Sequence, residues 1–247
     1  MKAAKAALFA IVLYGGIAAI GAEPAFDAPL DVRSPAEPPG NGALTCFVYK
    51  NFVVKQIDDG DVGAKVSVVP VGVGATPSCR PEQEPAEFAI ESANWAGYFK
   101  GARGNYLFLE AAKDGGALGF AIFAGNTALF EDASVGGVQS ATLTGPALTV
   151  RYARSISAGC SIPRDGAACW SRIVAATGLD PDRPPDCAAP YQAAMDEARN
   201  GDDPAAADAT LWTDVPSVIA YEAEVTVGAG APAIRPIGNA TGCRPAD

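Results

Sequence analysis

Asn105-Tyr-Leu-Phe-Leu-Glu110, Ala117-Leu-Gly-Phe-Ala-Ile-Phe123, Thr127-Ala-Leu-Phe-Glu131 and Leu148-Thr-Val-Arg-Tyr152 are four short runs separated by Lys113-Asp-Gly-Gly116, Gly125-Asn126 and Gly145-Pro146. Aromatic and β-branched runs this short, bounded by Gly, Asn, Asp and Pro, specify antiparallel strands. Side chains alternate along a strand, so Tyr106, Phe108 and Glu110 share one face and Leu107 and Leu109 the other. Leu118, Phe120 and Ile122 oppose Gly119, Ala121 and Phe123 in the same way. Both faces of these two strands are mostly apolar, which requires cover on both sides. The expected fold is mainly β, an antiparallel sandwich or partly open barrel with two or three short C-terminal helices, and α+β is the next choice. A propeller would repeat its blade every ~40 residues; the rhythm of 105–132 has no second copy.

Upstream, Lys2 and Lys5 precede an apolar run from Ala6 to Ile20, followed by Gly21 and Ala22. The run is shorter than the ~20 residues a membrane span needs. A basic start and a small-residue exit make residues 1–22 a secretory signal peptide cleaved after Ala22, which implies a periplasmic or secreted chain with no membrane span after cleavage. Loss of Lys2 and Lys5 moves the formal net charge from −10 to about −12. That field disfavours nucleic acid and anionic membrane surfaces as partners, and its ordinary meaning is solubility. Residues 23–42 carry Pro24, Pro29, Pro35, Pro38 and Pro39 and read as an extended tether. Residues 43–247 read as a single disulfide-stabilised β-rich domain.

At the start of that domain, Leu44–Ile57 and Ala64–Val73 flank Asp58-Asp-Gly-Asp-Val-Gly63 and are expected to form a hairpin. Its turn would bring Cys46 opposite a position near the end of the second arm, close to Cys79. Asp58, Asp59 and Asp61 lack the alternating ligand spacing and downstream carboxylate of a calcium loop, so a plain turn is favoured over a metal site. Beyond Ser157 the pattern turns helical. Asp165 is expected to cap a helix with Trp170, Ile173, Val174 and Thr177 on one side and Gly178 at its end. A second helix spans Pro190–Arg199 with Tyr191, Met195 and Ala198 as its stripe, and Asp203-Pro204 opens a short third. After Pro216 a long strand presents Ile219, Tyr221, Ala223, Val225 and Val227 to one side and Glu222, Glu224 and Thr226 to the other, ahead of a Gly- and Pro-rich tail held by Cys243.

Six cysteines in an exported chain are expected to pair completely, as Cys46 with Cys79, Cys160 with Cys169 and Cys187 with Cys243. The chain has no histidine, which excludes histidine triads, histidine metal sites and histidine bases. Phosphate-cradle and nucleophile-elbow motifs are missing, and no motif implies a cofactor or metal. What remains for catalysis is a perturbed Lys or Tyr or a carboxylate pair, for which Glu87, Glu91, Glu110, Glu222 and Glu224 are scattered candidates. The first place to look for a ligand is Trp95, Tyr98, Lys100 and Arg103, where aromatics alternate with cations; the duller alternative is aromatics capping the core and cations in solvent. Arg151 and Arg154 are three apart on a strand and face opposite ways, as solvent-facing or edge arginines unless one clamps an acid.

The functional expectation is an exported, non-catalytic binding or envelope-associated protein whose partner is an unknown protein or envelope component. A small-ligand binder or inhibitor using Trp95–Arg103, and a carboxylate-dependent hydrolase, are the alternatives. Non-reducing mass spectrometry of the mature chain is expected to find no free thiol; two or more would break the three-bridge scheme.

Overall fold

The two-faced alternation of residues 106–123 is met by two layers of cover. A computed structural model describes residues 24–35, 42–72, 78–90, 97–111, 118–200, 209–228 and 230–246. The expected signal peptide at 1–22, Glu91, Trp95 and the expected short helix at Asp203-Pro204 lie outside these residues. Five strands, β1 (Asp31–Arg33), β2 (Ala43–Val48), β3 (Phe52–Asp58), β4 (Lys65–Pro70) and β5 (Phe88–Ile90), form one sheet in sequence order. Seven more form a second: β6 (Gly97–Arg103), β7 (Tyr106–Ala111), β8 (Leu118–Ala124), β9 (Thr127–Thr144), β10 (Ala147–Ser157), β11 (Ser217–Val227) and β12 (Ala233–Pro245). Every neighbouring pair is antiparallel. Four short helices, α1 (Ile162–Asp165), α2 (Ala167–Thr177), α3 (Ala188–Asn200) and α4 (Ala209–Asp214), lie between β10 and β11. The fold is mainly β with few helices.

Leu107, Leu109, Ala121 and Phe123 pack with Val54, Val66, Val68 and Ile90 between the two sheets. On the other face, Phe108, Phe120 and Ile122 join Val150, Tyr152, Ile219 and Val225 under Trp170, Ile173 and Tyr191 of α2 and α3. The five-stranded sheet therefore covers one face of β7 and β8; on the other, Phe108 packs on Phe26 of the N-terminal segment and Phe120 on Phe130 and Tyr152, within one core that extends to the helical insertion. On β11, Ile219, Tyr221, Ala223, Val225 and Val227 are all buried, in the expected order.

All three expected disulfides are present. The first arises by a different route from a simple hairpin. Residues 44–57 break into β2 and β3 at a turn closed by Tyr49 N–H donating to Phe52 C=O, so Cys46 stands opposite Lys55, not opposite β4. Cys79 reaches Cys46 because the chain after β4 crosses the outer face of the five-stranded sheet. That crossing segment is also held by a buried ion pair. Lys55, 1 % exposed on the outer face, donates to Glu87 Oε2 at 2.8 Å and to the Glu82 carbonyl at 3.0 Å. Ser67, beside Lys55 in the sheet, donates to the other Glu87 oxygen. Burial alone would raise the Glu87 carboxyl, but the Lys55 and Ser67 hydrogen bonds outweigh it and hold the group below its usual value.

Several local expectations are corrected. Asp165 ends α1 and bonds Arg164, while Gly166, with no side-chain cap, precedes α2. The chain makes a separate turn of helix there, so the carboxylate points away from the following amides. Gly178 does close α2, in the left-handed conformation at φ 74°. α3 starts before Pro190, where Asp186 accepts the Ala188 N–H. β9 runs on through Gly136 and Gly137 to Thr144, and the C-terminal tail is an edge strand, β12. Edge strands tolerate Pro236 because its missing N–H faces no neighbour. Residues 24–35 are extended, but they are also built into the sheets. β1 pairs with β2, and Asp27 N–H bonds Ala102 C=O on the free edge of β6.

Lys55→Met leaves Glu87 buried without its cation, and urea unfolding is expected to show a loss of about 3–5 kcal/mol. The Glu87 contribution is full above its ordinary pKa of 4.5 and is lost as pH falls through its lower folded value. The acid limb of the stability–pH curve should therefore flatten in the variant, and an unchanged limb would count against the pair.

Candidate functional site

β6 is the edge where the expected ligand residues meet structure. Tyr98 stands opposite Glu110, and the Lys100 ammonium donates to Glu110 at 2.7 Å. Phe99, between them, faces the core and packs on Phe47 and Tyr49. Arg103 turns to the N-terminal strap, donating to Asp27 Oδ1 at 3.0 Å, while Gly104 N–H donates to Asp27 Oδ2 at 2.6 Å. Tyr98, Lys100 and Arg103 are thus strung along one strand, and the two cations each meet a carboxylate of the chain itself.

Beside Arg103 the strap and the β2–β3 turn enclose a cleft of about 220 Å³, whose walls include Asp27, Leu30, Tyr49, Asn51, Phe52 and Asn105. Tyr49 and Phe52 stack with centroids 4.9 Å apart and give it an aromatic floor. Burial, with the Asp27 charge nearby, pushes the Tyr49 hydroxyl up to about 12, so it works as a neutral hydrogen-bonding group and not as a base. Leu30 is 74 % exposed at the rim, and Val32, next on the same side of β1, is 52 % exposed. A shallower depression of about 440 Å³ follows Ser78, Arg80, Glu82, Gln83, Glu84 and Pro85 and has no aromatic wall.

The carboxylates are committed elsewhere. Glu224 lies nearly buried on the outer face of β11 and accepts from Arg235 and from Arg151 at 2.9 Å. The Arg235 hydrogen bond above all, helped by Arg151 and opposed by burial, holds it below the usual carboxylate range. Glu222, two residues away on the same face, accepts from Gln139. Glu110 meets Lys100 and Glu87 meets Lys55. A glycosidase acid needs a raised pKa, whereas Glu87 and Glu224 are both lowered.

Arg151 and Arg154 do face opposite ways, on an interior strand. Arg154 points inward, clamping Asp132 Oδ2 at 2.7 Å and donating to the Tyr221 hydroxyl at 2.9 Å. Tyr152, fully buried, donates to the same Asp132 oxygen at 2.6 Å. Burial and the Asp132 charge push the Tyr152 hydroxyl well above its usual value, so it stays protonated. The network sits where β9 and β10 slip register, and it satisfies polar groups inside the helix-side core.

Among the described residues no group of three His, Cys, Asp or Glu side chains is placed to hold a metal. At the Asp58–Gly63 turn, Asp58 and Asp59 accept from the amides two residues on, and Asp59 pairs with Lys65. No described helix is long and apolar enough to cross a membrane, and three disulfides fit an oxidising, extracytoplasmic setting.

The residues missed by sequence reasoning are those of the strap, Phe26, Asp27 and Leu30, which its prolines disguised. Their one local signal is the spacing of Phe26, Leu30 and Val32 among small and acidic residues. Tyr152→Phe is expected to lower stability by about 1.5–3 kcal/mol in urea unfolding by removing a hydrogen bond to a charged acceptor, with circular dichroism unchanged. No protein-family model, characterised protein or solved structure matches this chain.

Proposed function

We propose that this chain is an exported, non-catalytic recognition domain that binds a protein or envelope component at the cleft between its N-terminal strap and the β2–β3 turn. The observation that carries this reading is the pairing of that cleft with exposed apolar side chains. Leu30 stands largely in solvent at the rim of an aromatic floor of Tyr49 and Phe52, and Val32, two residues along the strap, is exposed as well. Ligand pockets for whole small molecules run to roughly 300–1,000 Å³, and a cleft of about 220 Å³ is smaller. Its size suits one anchoring side chain of a larger partner, which favours a macromolecular partner over a free small ligand. The polar rim of Lys50, Asn51 and Asn105 around an apolar floor has the anatomy of a recognition patch. The paired state of Glu87, Glu110, Glu222 and Glu224 weighs against the hydrolase alternative.

The test places a photo-crosslinking amino acid at Leu30, with a control at the exposed Thr142 on β9, in the exported protein inside its own cells. A defined adduct to another protein or envelope component from position 30 and not from 142 is the expected result. Equal labelling from both positions, no adduct, or only a product of twice the chain's own mass would count against the reading.

A further inference from the structure

The edge of β6 is a formed binding groove, and the chain's own strap fills it. Three kinds of contact converge within two residues. The Phe26 ring packs on Phe108 with centroids 5.0 Å apart, over Gly101, where an added Cβ would fall 2.5 Å from the Phe26 ring. Asp27 N–H bonds the Ala102 carbonyl at 2.8 Å, adding backbone to a sheet edge. The Asp27 carboxylate is held by the Arg103 guanidinium and the Gly104 amide. An aromatic slot, a backbone donor–acceptor match and a carboxylate clamp together read an aromatic–acid dipeptide in an extended segment.

We propose that this groove also accepts the strap of a second copy, so that residues 24–33 exchange between two chains and the partner's Phe26 and Asp27 complete each other's β6 edge. An exchanged strap makes the same contacts in either chain, so the closed monomer and the exchanged dimer differ little in contact energy, which is what makes such swaps accessible. Between Arg33 and β2 lie nine residues that include Pro35, Pro38 and Pro39. Nine residues can bridge at most about 30 Å of chain, which sets the limit on how far an exchanged strap can lie from its own β2. The exposed Leu30 and Val32 belong to the strap itself, and a crossing of two straps brings two such apolar pairs to one place. Asp27 and Leu30 also line the cleft, but the exchange needs only the contacts of Phe26 and Asp27 with Gly101, Ala102, Arg103 and Gly104, whatever the cleft binds.

Two variants of the full mature chain test it. Gly101→Val blocks the slot but keeps an intact strap, and Phe26→Ala with Asp27→Asn spoils the strap but keeps an open groove. Each alone should stay monomeric, while their mixture should show a doubled light-scattering mass. In parallel, two differently tagged wild-type copies are co-expressed and exported. They should co-purify through either tag, and the association should be lost when both carry Phe26→Ala and Asp27→Asn. This arm holds even where Gly101→Val fails to fold. Absence of co-purification between the wild-type copies, or co-purification that survives loss of both strap side chains, overturns the proposal.

Discussion

β7 and β8, beside the β6 edge of the seven-stranded sheet, are apolar on both sides, and water must be kept from both. That one requirement organises the molecule. The five-stranded sheet seals Leu107, Leu109, Ala121 and Phe123, while Phe26, Phe130 and Tyr152 close over Phe108 and Phe120 in the core that the insertion between β10 and β11 shares. β10 and β11 are neighbours that a tight turn could have joined, yet the chain spends residues 158–216 between them. The insertion turns one buried stripe of α2, with Trp170 and Ile173, and one of α3, with Tyr191 and Met195, inward, because only one side of each helix is covered.

Covers made of short elements need fastening, and the fastenings are of two kinds. Cys160–Cys169 and Cys187–Cys243 tie the helical insertion to the end of β10 and to β12, each contributing about 2–4 kcal/mol by restricting the unfolded chain. The crossing segment over the five-stranded sheet has Cys46–Cys79 at one end and the buried Lys55–Glu87 pair at the other. A buried ion pair adds little net stability, because desolvation offsets the attraction, but losing one partner is costly. Lys55 therefore acts as a register pin: any other seating of the segment would leave its charge in the core without a partner.

The strap joins the layers by a third means. Phe26 and Asp27 bind the edge of one sheet and β1 extends the edge of the other, so a single short segment protects two strand edges that would otherwise invite foreign pairing. The cleft has Asp27 and Leu30 of the strap among its walls, so it is complete only when the strap is seated. The groups there are aromatic faces, amides and a clamped carboxylate, while Glu87, Glu110 and Glu224 hold lysines and arginines in place.

Much of this was legible in the letters. The alternation of residues 106–123 and 217–227 dictates which side chains are buried, since a strand's period of two leaves no choice once one face is apolar. Disulfide pairing and the lack of histidine bound the chemistry, and the spacing of the six cysteines pointed to their partners. What only the tertiary structure decided is where sequence-distant surfaces meet. Arg154 and Asp132 look like ordinary strand residues until the slip between β9 and β10 turns them to one point. The tail reads as loop because its glycines and prolines are poor strand formers, and becomes β12 because β11 offers it an open edge. The strap reads as tether for the same reason. Local pattern reports how a residue partitions between water and a neighbouring surface; it carries no record of which surface that is, because the edge that recruits Phe26 and Asp27 is assembled from residues more than seventy positions away.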